Sequence, residues 1–193
     1  MNLRLVSGPD VEPVTLAEAR LHLRVDVDDD DELISALIVV ARELVEQVTR
    51  RALISQSWEL LRDAFPATPT VALPLPPLQA VDGITYTDST GVTHTFSAAD
   101  YEVDTAGTPG RIALPSASAW PSDTLAAVNG VQIAFTAGYG DAGADVPTAI
   151  RQALLLLVGH LYENREAVTD TRVLATTPLA FEYLLQTYRV FGW

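Results

Sequence analysis

Few residues in this chain have the type and spacing that chemistry requires. The sharpest pair is His160 and Glu163, one helical turn apart, a spacing that lets a carboxylate orient an imidazole acting as a general base. No Gly-x-Ser-x-Gly elbow marks a nucleophile for that base to activate. The other histidines, His22 and His94, lie in separate segments, and no two form an i, i+4 metal-binding pair. Cysteine is absent, which removes disulfides, thiolate metal sites and cysteine nucleophiles. The run Asp26-Val27-Asp28-Asp29-Asp30-Asp31-Glu32 has the charge of a calcium loop. Its sixth position is Asp31 where the sharp turn needs glycine, and its twelfth is Leu37 where the site needs glutamate. These acids suit the positive end of a following helix better. Gly138-Tyr139-Gly140-Asp141-Ala142-Gly143 stands between a strand pattern and a helix pattern, the setting of a phosphate cradle. It is neither Gly-x-Gly-x-x-Gly nor a P-loop, and no lysine accompanies it, so it reads as a tight turn. The residues therefore point away from an enzyme, and they imply no cofactor and no metal.

Composition agrees. The 193 residues are 48% hydrophobic, enough for a sizeable core, and carry a formal charge of −13 from 25 acidic and 12 basic side chains. Every basic side chain is arginine. That balance disfavours a protein that grips nucleic acid through a basic patch. The first thirteen residues lack the basic and apolar regions of a secretory signal. The longest apolar run is too short for a bilayer, which needs about 20 residues, so no membrane association is expected.

The elements that must position these residues follow from periodicity. Residues 145–166 predict the central helix, with Asp145 as N-cap and Pro147 in the first turn. Ile150, Leu154, Leu157, Val158 and Leu161 share one face, and Leu155 and Leu156 widen it until the middle is apolar nearly all round. Upstream, residues 1–13 read as an extended lead-in. Thr15-Leu16-Ala17-Glu18 has the form of a capping box opening a short helix that ends near Arg24. A second helix spans about residues 30–49, with Ile34, Ile38, Ala41 and Val45 on its stripe and Glu46 and Arg50 spaced for an exposed pair. From residue 54 the period becomes two. Short strands are expected at residues 56–61, 71–73, 81–87, 92–96, 101–104, 111–114 and 131–135, with a hairpin around residues 88–91. After the central helix, Pro178 starts a last helix carrying Phe181, Leu184, Leu185 and Tyr188 on one face. The order predicts an α+β fold: a helical bundle of two N-terminal and two C-terminal helices with a mostly antiparallel β insertion. It is expected as one domain over 1–193, with N-terminal helices in 1–53, the β insertion in 54–137 and C-terminal helices in 145–193.

Two polar or aromatic clusters have open readings. Glu163, Asn164 and Arg165 end the most apolar helix, either as caps and helix-end ion pairs or as a contact with a neighbouring subunit. Phe191 and Trp193 are aromatic at the chain end, where they either fold back or anchor a partner.

Taken in order, several segments resemble one family. They are Pro13-Val14-Thr15-Leu16-Ala17-Glu18-Ala19 with His22-Leu23-Arg24-Val25-Asp26, Arg51-Ala52-Leu53-Ile54 leading into Trp58, and Pro76-Pro77-Leu78. Gly138-Tyr139-Gly140 follows, then Ile150-Arg151-Gln152-Ala153 running into His160-Leu161-Tyr162-Glu163-Asn164-Arg165-Glu166. The set resembles the head–tail connector (adaptor) proteins of long-tailed bacteriophages, prophages and gene transfer agents. The resemblance implies a structural virion protein, made in the bacterial host cytoplasm and located at the head–tail junction. It implies a ring, twelve-fold in the virion, beneath the portal protein, extending the DNA channel and docking a stopper or tail-completion protein. DNA would pass without sequence-specific binding. It implies no catalysis and no cofactor. It points to Arg50, Arg51, Glu163, Asn164, Arg165, Arg189, Phe191 and Trp193 as portal or inter-subunit contacts. The alternatives are another neck protein, such as a stopper, or a small hydrolase using His160 and Glu163.

Overall fold

A computed structural model describes residues 2–164 and 179–191. Its elements are mixed, with four α-helices and two antiparallel sheets among the described residues. They divide into two compact units.

The first unit holds residues 2–9 and 55–139. Its main sheet has five strands in the order β1 (Asn2–Ser7), β2 (Gln56–Arg62), β8 (Val131–Ala137), β4 (Leu78–Thr87) and β5 (Thr93–Phe96), all antiparallel. The alternation read in the sequence decides which face of β8 is inside: Val131, Ile133, Phe135 and Ala137 are buried, and the residues between them are half-exposed. Leu60 on β2 and Ile84 on β4 lie opposite Ile133 in register and complete that layer. A smaller sheet joins β3 (Thr70–Ala72), β7 (Arg111–Ala113) and β6 (Glu102–Asp104) around buried Val71 and Ile112. Phe65, Tyr86, Phe96, Tyr101 and Trp120 form a chain of ring contacts, with Phe65 stacked on Trp120 at 5.1 Å. Residues 2–7 depart from the expected lead-in. They pair with β2 as the edge strand of the main sheet.

The hairpin joining β4 to β5 is locked by its turn. Asp88 Oδ1 accepts hydrogen bonds from the Thr90 and Val92 backbone N–H groups at 2.8 and 3.1 Å. Its Oδ2 meets His94 Nε2 at 2.8 Å. The bonds from His94 and Thr90 hold the Asp88 carboxyl far below the ordinary carboxylate range.

The second unit holds residues 10–54, 140–164 and 179–191. Helix α1 (Leu16–Leu23) opens on the expected capping box: Thr15 Oγ1 accepts from Glu18 N–H at 3.2 Å, and Glu18 Oε2 accepts from Thr15 N–H at 2.8 Å. Helix α2 (Asp31–Thr49) begins with Asp31 and Glu32 in its first turn, where the dipole favours acids. Helix α3 (Thr148–Glu163) packs on α1, α2 and α4 (Leu179–Leu185). Its buried face is Ile150, Ala153, Leu154, Leu157 and Val158.

Two local expectations change. Helix α3 starts after Pro147, not at Asp145. Asp145 closes a short 3-10 turn instead, its carboxylate accepting the Ala142 N–H at 2.9 Å. In α2, Glu46 pairs with Arg42 at 2.9 Å, one turn back, instead of only facing solvent near Arg50. The reason is burial: Arg42 is 8% exposed and draws Glu12 and Glu46, each at 2.9 Å. Burial opposes its charge, but Glu46 and Glu12 outweigh that and raise the guanidinium above its ordinary value.

Candidate functional site

His160 and Glu163 line an open groove with His22 and Arg24. His160 Nδ1 faces Asn164 Nδ2 at 3.4 Å. Asn164 is chiefly a helix cap, its Nδ2 donating to His160 O at 2.8 Å and its backbone N–H to the same oxygen at 3.1 Å. Glu163 is exposed. Among the described residues no group of three His, Cys, Asp or Glu side chains is placed to hold a metal, and no helix is long and apolar enough to cross a membrane.

The glycine-rich turn has a packing explanation. A Cβ on Gly143 would come within 2.6 Å of Pro13 O, and one on Gly140 would collide with the Asp145 carboxylate. Gly143 lets this turn approach the backbone at Pro13, and Gly140 leaves room for the Asp145 side chain.

The other candidates fall into one group. Arg50 caps α2 in the left-handed conformation, φ 56°, its N–H bonded to Glu46 O. Arg51 Nε donates to Tyr188 O at 2.6 Å, and Val190 N–H donates to Thr49 O at 3.0 Å. Those two bonds bring Arg50, Arg51, Arg189 and Phe191 to the C-terminal end of α2. Arg50 and Phe191 are exposed there. Glu163 and Asn164 sit at the end of α3. Arg165 and Trp193 lie outside the described residues.

Sequence reasoning missed several exposed apolar side chains. On α2, Val39, Val40 and Leu44 are 36%, 49% and 37% exposed. Leu179 and Tyr183 on α4 and Leu21 on α1 are more exposed still. The signal was present in α2, whose apolar residues exceed what one buried stripe needs. On β1, Leu3, Leu5 and Val6 are also exposed.

Comparisons with known proteins place the chain in a family. The family model described as phage gp6-like head-tail connector protein matches residues 13–108, and the chain belongs to this head-tail connector family. A chain from the neck of an empty gene transfer agent particle, computed with C6 symmetry, is similar at 26% identity and a TM-score of 0.80. One from the neck of the native particle, computed with C12 symmetry, is similar at 25% identity and 0.79. A third, from the virion of the native particle, shares the fold at 24% identity and 0.83. Each alignment covers 100% of this chain and 97% of the other. No curated protein matches by sequence.

Proposed function

We propose that this chain is the structural ring subunit of a virion neck, at the junction of head and tail. It sits under the portal protein, extends the DNA channel and offers its lower face to a stopper or tail-completion protein. The observation that carries this reading is end-to-end similarity, at 25–26% identity, to chains in necks computed with C6 and C12 symmetry. A ring of twelve fits that symmetry. Closing it requires a heterologous interface, with two different patches on each copy. Arg50, Arg51, Arg189 and Phe191, with Glu163 and Asn164, are the candidate portal or subunit contacts. The two units together serve as one connector domain. The excess of acids suits a channel wall that repels phosphates, so DNA passes without sequence-specific binding. The role needs no catalysis and no cofactor.

Complementation tests the proposal. A phage or prophage lacking this chain should yield DNA-packaged heads and free tails that do not join. Both the wild-type chain and a His160→Ala variant should restore joined particles to within about twofold, because no reaction is involved. Restoration by wild type but not by well-folded His160→Ala would favour the hydrolase reading. Normal particle yield without the chain would remove it from the neck.

A further inference from the structure

The two ends of α2 have opposite chemical character. At its C-terminal end, the bonds from Val190 to Thr49 and from Arg51 to Tyr188 gather three of the twelve arginines, Arg50, Arg51 and Arg189. Cations at a helix C-terminus are favourable in themselves. That does not account for Phe191 standing 81% exposed beside them. The nearby Glu46 is engaged by Arg42. At the N-terminal end, Arg20 fastens the preceding loop, its Nη2 donating to Asp26 O at 3.0 Å and its Nη1 to Asp31 Oδ2 at 3.1 Å. Asp26, Asp28 and Asp29 are left exposed, with Val27 at 60% and Leu21 at 82%. Arg24 is the one exposed cation in that stretch of chain, 20–32.

We infer that the basic and aromatic end of α2 in one copy docks on the 26–29 loop of the next copy. This rests on the ring proposed above and names its lateral contact. A closing ring needs two unlike, complementary patches on each subunit, and these are two such patches on one rigid element. Opposite charge fixes the orientation of approach. Phe191 set against Leu21 and Val27 supplies an apolar anchor. An antiparallel pair about a two-fold axis would satisfy both patches at once and stop at two copies, so assembly beyond the dimer is what distinguishes the ring. The patches are separated by the length of α2, about 28 Å at 1.5 Å per residue. A repeat of about that length closes twelve copies at a diameter of about 110 Å, leaving room for a channel.

Charge exchange on the full chain tests the contact, with assembly read by mass photometry and by co-sedimentation with portal-bearing capsids. Arg50→Glu with Arg189→Glu, or Asp28→Arg with Asp29→Arg, should each lower assembly at least about tenfold while leaving the circular dichroism spectrum unchanged. All four substitutions in one chain should restore it to within about threefold, because the attraction is re-formed with its signs exchanged. The chain has no cysteine, so Asp29→Cys with Arg50→Cys should also give a bis-maleimide ladder of multiples, alone or on capsids. Assembly unmoved by either pair, failure of the fourfold variant to recover, or absence of a ladder in assembled material would overturn the inference and leave the ring standing. If Arg50→Glu with Arg189→Glu loses only portal binding while lateral association persists, the patch faces an acidic segment of the portal instead. Wild-type chain that neither self-associates nor binds capsids would sink the ring and this contact together.

Discussion

At the residue scale, some charged side chains are placed by three-dimensional contacts that no local pattern announces. Arg42 is the clearest case. It sits within a helix whose apolar stripe was legible, but its burial depends on Glu12, thirty residues earlier. Glu46 in turn accepts the Leu53 N–H at 2.9 Å, so one arginine organises the exit from α2. Arg42→Ala leaves two carboxylates without their counter-charge. It should cost about 2–4 kcal/mol in urea unfolding, less than a fully buried pair would because Glu12 keeps contact with water. Glu18 gives a pH-dependent expectation. The Thr15 backbone N–H lowers its pKa below the ordinary 4.5, burial opposes this, and the Thr15 hydroxyl and Arg151 add to the lowering. A carboxyl depressed in the folded state stabilises above its ordinary pKa, and that contribution is lost as pH falls through the folded value. Glu18→Gln should therefore cost up to about 1 kcal/mol at pH 7, since Glu18 is largely solvated, and the gap from wild type should close below pH 4.5. A gap that did not narrow at all as the pH fell below 4.5 would contradict the assignment.

At the element scale, most of the architecture was legible because local rules agreed. The Thr15–Glu18 capping box, the alternation in β8 and the apolar stripe of α3 all appear where the sequence placed them. β1 was not legible. Its six residues are all exposed, so no inside face imposed an alternation on them, and only pairing with β2 makes them a strand. The start of α3 was misplaced because Asp145 is a good N-cap by type. In the structure its carboxylate is occupied in capping the preceding turn. The tie between α2 and the C-terminal segment joins residues more than a hundred apart, Arg51 to Tyr188, and no local pattern announces such a bond. Because α3 packs on the other three helices, its core positions should be the least tolerant. Leu154, fully buried, should lose about 2–5 kcal/mol on substitution by alanine, measured by chemical unfolding. Val40→Asp, on the exposed side of α2, should leave stability within about 0.5 kcal/mol.

At the scale of the whole molecule, function lies in surfaces. Membership of the head-tail connector family and similarity to chains of gene transfer agent necks fit a protein whose helices leave apolar side chains exposed. Arg50, Arg51, Arg189 and Phe191 were candidates through the family resemblance, and only the fold brings them together at the end of α2. The most direct measurement is co-sedimentation of the purified chain with tailless, portal-bearing capsids from the same phage or prophage, using capsids without portal as the control. Saturable, portal-dependent binding at about twelve copies per capsid is the outcome expected of a neck ring. Well-folded chain that binds both kinds of capsid equally, or neither, would contradict it.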